Sequence, residues 1–167
     1  MFLPTEAAAR NLRAEAVAGE IHVTGNTAID ALLALEAGLP RPTLNDGGVP
    51  RLLVTCHRRE SWGEGLESIA TAVRQLARHG SVRIDLLLHP NPHVAGTMRR
   101  ELAETPNLAL LKPCSHAELV WRMREADLIL SDSGGIQEEA PRARNAIAGP
   151  ARQDRTAGGG SRPAMPA

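Results

Sequence analysis

The chain has 167 residues, enough for one domain with a real core, and its formal net charge is +0. A neutral chain offers no electrostatic case for nucleic acid or an anionic membrane, and one Phe, two Trp and no Tyr leave little for bases to stack on. No apolar run is long enough to span a bilayer, MFLPTEAAARNL lacks the basic-then-apolar order of a signal peptide, and the isolated Cys56 and Cys114 read as small fillers of a thiol-reduced, cytoplasmic protein.

Thr5 to about Val17, rich in Ala, Glu, Leu and Arg, predicts a helix. Ile21–Val23 is a short strand candidate, and Asn26 or Thr27 can cap the helix AIDALLALEAG that stops at Gly38. Pro40 to Pro50 reads as a linker. A regular alternation follows. RLLVTC is a strand, HRRESWGEG a loop, and LESIATAVRQLARHG an amphipathic helix closed by Gly80. VRIDLLL is a strand, HPNP a loop and HVAGTMRRELAE a helix. NLALL is a strand, KPC a loop, and SHAELVWRMREA a helix opened by a Ser115/Glu118 capping box. DLILS is a strand, DSGG a turn and IQEEA a helix start.

Strands that are apolar throughout are buried on both faces, and helices between them imply right-handed crossovers in a parallel sheet. The expected fold class is α/β, with a doubly wound, Rossmann-like domain over Arg51–Pro141. Ligands of such sheets bind at the carboxyl ends of strands, which here carry CHRRE, HPNP, KPCSH and SDSGG.

SDSGG brings backbone N–H groups close to a ligand, because glycine has no Cβ in the way, and the following helix points its N-terminus at the same spot. That suits a phosphate; the alternative is a tight turn and nothing more. Glu138 and Glu139 project about a hundred degrees apart on a helix, so one at most faces a ligand. His57, Arg58 and Arg59 suit an anion, against the alternative of a solvated basic loop. His89 and Asn91 are weaker versions of the same case, while His22, His79, His93 and His116 read as surface or helix residues. No spacing of His, Cys and Asp matches a metal site. These residues support a domain for a phosphorylated ligand, a nucleotide above all, and give no reaction.

Taken together, VTGNTAIDALL (Val23–Leu33), VTCHRRESWGEGLESI (Val54–Ile69), HPNP (His89–Pro92) and SDSGGIQEEAP (Ser131–Pro141) resemble the non-hydrolysing UDP-N-acetylglucosamine 2-epimerases. The resemblance runs from about Phe2 to Pro141. It implies one incomplete half of a two-domain fold like the B-type glycosyltransferases, and no cofactor. It implies interconversion of UDP-N-acetylglucosamine and UDP-N-acetylmannosamine by loss of the sugar C2 proton, elimination of UDP and re-addition. By matching position, His57 is a catalytic histidine beside the UDP phosphates. Ser133, Gly134 and Gly135 hold the diphosphate, Glu139 binds the ribose hydroxyls, and the backbone of Cys114 and Leu119 contacts uracil. Arg58 and His89 match a second, activating site for UDP-N-acetylglucosamine. The segment Cys114–Leu119 departs from the family in having neither Tyr nor Phe. The implied partners are UDP and UDP-N-acetylglucosamine, with full-length members homodimeric.

The expected division is residues 1–38 as the end of an N-terminal domain and crossover helices, 39–50 as linker, 51–141 as the partial UDP-binding domain, and 142–167 as a disordered tail. The opposing domain, with its catalytic acids, is not expected in this chain, so turnover is not expected of it. Residual UDP binding without turnover, or a fragment of a B-fold glycosyltransferase, are the alternatives. The codons of Arg144–Gly159, read one nucleotide later, permit GMPLLVLRDKTERPEA, the family's expected continuation, which implies a frameshift near Pro141.

Overall fold

Capping explains where most helices begin. A computed structural model describes residues 1–43, 48–56, 63–141 and 146–148. Strand β1 (Phe2–Leu3) leads to α1 (Glu6–Ala14), whose N-cap Thr5 accepts from the Ala8 N–H at 3.2 Å. Strand β2 (His22–Val23) precedes α2 (Thr27–Ala37), and of the two expected caps it is Asn26 whose side-chain oxygen accepts from Ala28 N, at 3.0 Å. Then come β3 (Arg51–Thr55), α3 (Glu64–His79), β4 (Arg83–Leu87) and α4 (Pro92–Glu101). Gly80 ends α3 in the left-handed region at φ +75°, which a residue with a Cβ adopts only under strain. Asn91 caps α4, and Pro92 occupies its first turn, where no amide partner is lost. The chain continues through β5 (Leu108–Leu111), α5 (His116–Glu125), β6 (Leu128–Ser131), α6 (Gly134–Glu139) and β7 (Ala146–Ala148).

Among the described residues two compact units result, one over Met1–Ala31 and one from Leu32 onward. In the first, β1 and β2 form a two-stranded parallel sheet, with Phe2 paired to His22 and Leu3 to Val23. Ala9 is fully buried, whereas Phe2 remains 77% exposed. The boundary between these units falls inside α2. The reason is apolar: Leu32, Leu35 and Leu39 pack with Leu53 and Ile129 of the sheet.

The second unit is built on a five-stranded parallel sheet in the order β5-β4-β3-β6-β7. Side chains alternate across each strand, so one sheet carries two cores. Leu52, Val54, Ile84 and Leu86 pack under α3 and α4 with Val73, Val94 and Met98. Leu53 and Ile129 pack on the other face with Val120 and Met123 of α5 and Ile136 of α6. Helices on both faces make this the doubly wound sheet that the alternating pattern foretold.

Within the stretch 142–167, expected as a disordered tail, Ala146–Ala148 pair in parallel with Leu128–Leu130. Strand pairing uses backbone N–H and C=O groups, and the free edge of β6 offers them to any extended segment. The glycines of SDSGG were expected in a turn ahead of the helix; Gly134 and Gly135 are instead its first residues, and the helix ends at Glu139.

Candidate functional site

Strands leave β3 in two directions: β4 and β5 lie on one side, β6 and β7 on the other. The order therefore switches between β3 and β6, and a crevice opens beyond the carboxyl ends of strands at such a point. Of the four strand ends marked by the sequence, the switch selects those of β3 and β6.

The residues there are polar and buried. Thr55 and Ser131 are opposite each other in register, and the Thr55 hydroxyl donates to Ser131 Oγ at 2.7 Å. Ser131 Oγ also accepts from Ser133 N at 3.1 Å, and its carbonyl accepts from Gln137 Nε2 at 3.3 Å. One serine thus ties β3, the chain after β6 and the first turns of α6 together. Asp132 is 4% exposed and accepts from the Cys56 thiol. Burial first, and then the Asp132 carboxylate by repulsion and by that hydrogen bond, push the thiol up to about 12. Cys56 is thus a neutral filler, in accord with its sequence reading.

Ser133 stands at the N-cap of α6 without a side-chain cap bond. A Cβ built on Gly134 would meet nothing within 4 Å, and one on Gly135 would touch only Ser133 Oγ at 3.9 Å. Neither glycine has a positive φ. Among the described residues neither backbone strain nor internal packing therefore requires them, and those residues leave the space beside Gly134 open. A tight turn that needs glycine for its φ angles does not explain the pair.

On the same short helix Glu138 is exposed, whereas the Glu139 side chain is only 13% exposed. Glu139 Oε2 lies 3.4 Å from Nε2 of His116, the first residue of α5. Ser115 caps α5 by accepting from Glu118 N at 3.3 Å. The reciprocal half of the expected capping box gives way to an ion pair: Glu118 bonds forward to Arg122 at 2.6 Å. Cys114 is half-buried just before that cap; burial raises its thiol, Glu118 adds to the rise and Arg122 offsets it. Leu119 packs against the α5–α6 core.

At the end of β4, His89 Nδ1 accepts from Asn91 N at 2.9 Å, so that nitrogen is spent on shaping the start of α4. His57 and Arg58 lie outside the described residues. The structure therefore brings together Ser133, Gly134, Gly135, Glu139 and the Cys114–Leu119 segment, and sets His89 at a neighbouring strand end. Sequence reasoning missed Thr55, Ser131, Asp132 and His116. The last residues of two adjacent apolar strands were a usable signal for the hydroxyl pair; nothing in the sequence joined His116 to Glu139. Among the described residues no group of three or more His, Cys, Asp or Glu is placed to hold a metal. No described helix is long and apolar enough to cross a membrane. A separate cavity of about 80 Å³ lies against the first half of β3, between Arg51, Asp85, Trp121 and Glu125, away from the carboxyl ends of the strands.

A family model described as UDP-N-acetylglucosamine 2-epimerase matches residues 1–148. The UDP-N-acetylglucosamine 2-epimerase of Salmonella typhimurium is 43% identical over 154 residues, covering 84% of this chain and 41% of the relative. The crystal structure of UDP-GlcNAc 2-epimerase from Neisseria meningitidis, bound to UDP-GlcNAc, superposes with a TM-score of 0.75 at 34% identity, over 87% of this chain and 43% of that one. E. coli heptosyltransferase WaaC with ADP is 15% identical with a TM-score of 0.51, over 84% of this chain and 42% of that one, a likeness of fold alone. It agrees with a partial Rossmann-like half of a B-type glycosyltransferase fold. The chain spans about two-fifths of the length of the curated relatives it matches. On this match of sequence and fold, the chain belongs to the UDP-N-acetylglucosamine 2-epimerase family.

Proposed function

We propose that this chain carries the UDP-holding half of an epimerase that interconverts UDP-N-acetylglucosamine and UDP-N-acetylmannosamine. The observation that carries the reading is the space that the described residues leave open over Gly134 at the sheet's switch point, beside a half-buried carboxylate, Glu139. Amides of the α6 start, with Ser133, Gly134 and Gly135, receive the diphosphate. Glu139 accepts from the ribose hydroxyls, and backbone groups of Cys114 and Leu119 meet uracil. His57, next in the chain after Cys56, is the catalytic group of this half, while Arg58 and His89 belong to a second nucleotide-sugar site. The Neisseria relative, which holds UDP-GlcNAc, supports the choice of ligand.

In the complete reaction a base removes the proton at sugar C2, UDP departs, and re-addition follows reprotonation on the other face. No cofactor takes part. The acids for proton transfer belong to an opposing domain, and proximity to them is what gives the step its rate. This chain by itself therefore binds without turning over. The full-length protein is a cytoplasmic homodimer on this reading, with no nucleic acid or membrane partner. The stretch from about residue 142 onward is read out of frame, which resequencing of the DNA around Pro141 tests directly.

Titration calorimetry with UDP on the full chain tests the binding. Saturable heat is expected; a cooperatively folded chain that gives none overturns the reading. In a coupled assay from UDP-N-acetylmannosamine no turnover is expected, and clear turnover would overturn the division of labour between the two halves.

A further inference from the structure

We propose that His116 is a positioning residue, which holds the Glu139 carboxylate in place for a vicinal diol on the bound nucleotide. The inference rests on the UDP reading above and assigns to its ribose end a residue that the sequence left on the surface.

Four observations carry it. Nε2 of His116 lies 3.4 Å from Glu139 Oε2, across the gap between α5 and α6. Both helices pack on one face of the sheet through Val120, Met123, Ile136 and Ala140, so the two residues are anchored from below by a common core. The neighbouring polar groups are engaged elsewhere: Ser115 Oγ accepts from Glu118 N, and the Glu118 carboxylate is paired with Arg122. Finally, the pair is asymmetrically exposed. The His116 side chain is 52% exposed and that of Glu139 13%, so the imidazole stands at the mouth and the carboxylate behind it.

The chemistry follows from the donor inventory. An ionised carboxylate only accepts, so the contact requires Nε2 of His116 to carry the hydrogen. That hydrogen engages Oε2 and leaves the other carboxylate oxygen, Oε1, to accept from a ligand hydroxyl. A glutamate side chain has several rotatable bonds, and ordering them at the moment of binding weakens affinity. A contact already made in the free protein removes part of that loss. His116 thereby strengthens recognition of the diol without touching the diphosphate.

The test compares UDP with 2′,3′-dideoxy-UDP by titration calorimetry, on the full chain and on His116→Ala, His116→Gln and Glu139→Gln. The ratio of the two affinities on one preparation is independent of the folded fraction. A hydrogen bond to a charged group sets the expected preference of the unaltered chain for UDP at roughly tenfold or more. Glu139→Gln is expected to shrink it strongly. His116→Ala is expected to lower it by about threefold with affinity for the dideoxy nucleotide unchanged, as the loss of part of one such bond implies. His116→Gln, whose amide N–H still donates, is expected to restore most of it. A full preference retained in His116→Ala overturns the inference. So does binding of UDP with no preference in the unaltered chain, which leaves the UDP reading standing. Failure of either nucleotide to bind a folded chain overturns the UDP reading and the inference with it.

Discussion

Thr55 donates its hydroxyl to Ser131 over 2.7 Å, joining the last residues of two adjacent parallel strands where both are almost fully buried. The bond sits under the candidate site, and the acceptor also holds Ser133 N. Thr55→Val removes one hydroxyl and leaves Ser131 bonded to Ser133 N, so a loss of about 0.5–1.5 kcal/mol is expected. Ser131→Ala strands a buried hydroxyl and weakens the start of α6, for about 1–3 kcal/mol. The double variant should lose less than the sum, because the orphaned partner is gone as well. Urea unfolding of the four proteins checks this, and strict additivity would contradict the bond.

Cys56 should be the unreactive thiol of the pair. Its value of about 12, raised first by burial and then by Asp132, leaves almost no thiolate at pH 8. Cys114 is also raised, by burial first and then by Glu118, but it is only half-buried and so within reach of solvent. Iodoacetamide at pH 8 should therefore modify Cys114 first, with Cys56 reacting only in denaturant; peptide mass spectrometry reads the order. The sign of the pH effect follows from linkage. Between the ordinary thiol value of 9.0 and about 12 the folded chain holds a proton that the unfolded chain has lost. The contribution of Cys56 is thus fully present below pH 9 and falls as pH rises through that window. Cys56→Ser or Cys56→Ala should flatten the alkaline limb of stability against pH.

Ser115 caps the helix that presents the Cys114–Leu119 segment. Ser115→Ala should cost about 1 kcal/mol. Glu118→Gln breaks an exposed i,i+4 pair with Arg122 and should cost only about 0.3–0.5 kcal/mol. Thermal unfolding ranks the two, and a larger effect at Glu118 would show that its carboxylate does more than meet Arg122.

Ending the chain at Pro141 removes β7 and uncovers the edge of β6. An exposed parallel edge invites pairing with other chains. Light scattering at matched concentration should show faster association of the shortened chain, with a lower urea midpoint. Equal behaviour of the two chains would mean that β7 adds nothing to the fold.

Much of the site was legible because glycine and charge are informative at strand ends. SDSGG after an apolar run, with a helix behind it, marked a candidate ligand position before any geometry. The preference for Glu139 over Glu138 came through the resemblance, and the half-buried side chain of Glu139 agrees with it. The Thr55–Ser131 bond stayed hidden because it joins residues far apart in the chain, and no local pattern encodes which strands become neighbours. The same holds for His116, which as a lone histidine at a helix start looked like surface.

Hydrophobic period, caps and glycine stops determined the elements in order, since those signals act within a few residues. They also determined the parallel class of the sheet, because fully apolar strands need cover on both faces. The tertiary structure alone decided the strand order, and with it that β3 and β6 adjoin at the switch point. It also recruited Ala146–Ala148 as an edge strand, since backbone hydrogen bonding at an open edge asks little of side chains. And it brought His116 to Glu139, because packing α5 and α6 on one face sets a distance that no spacing in the sequence records.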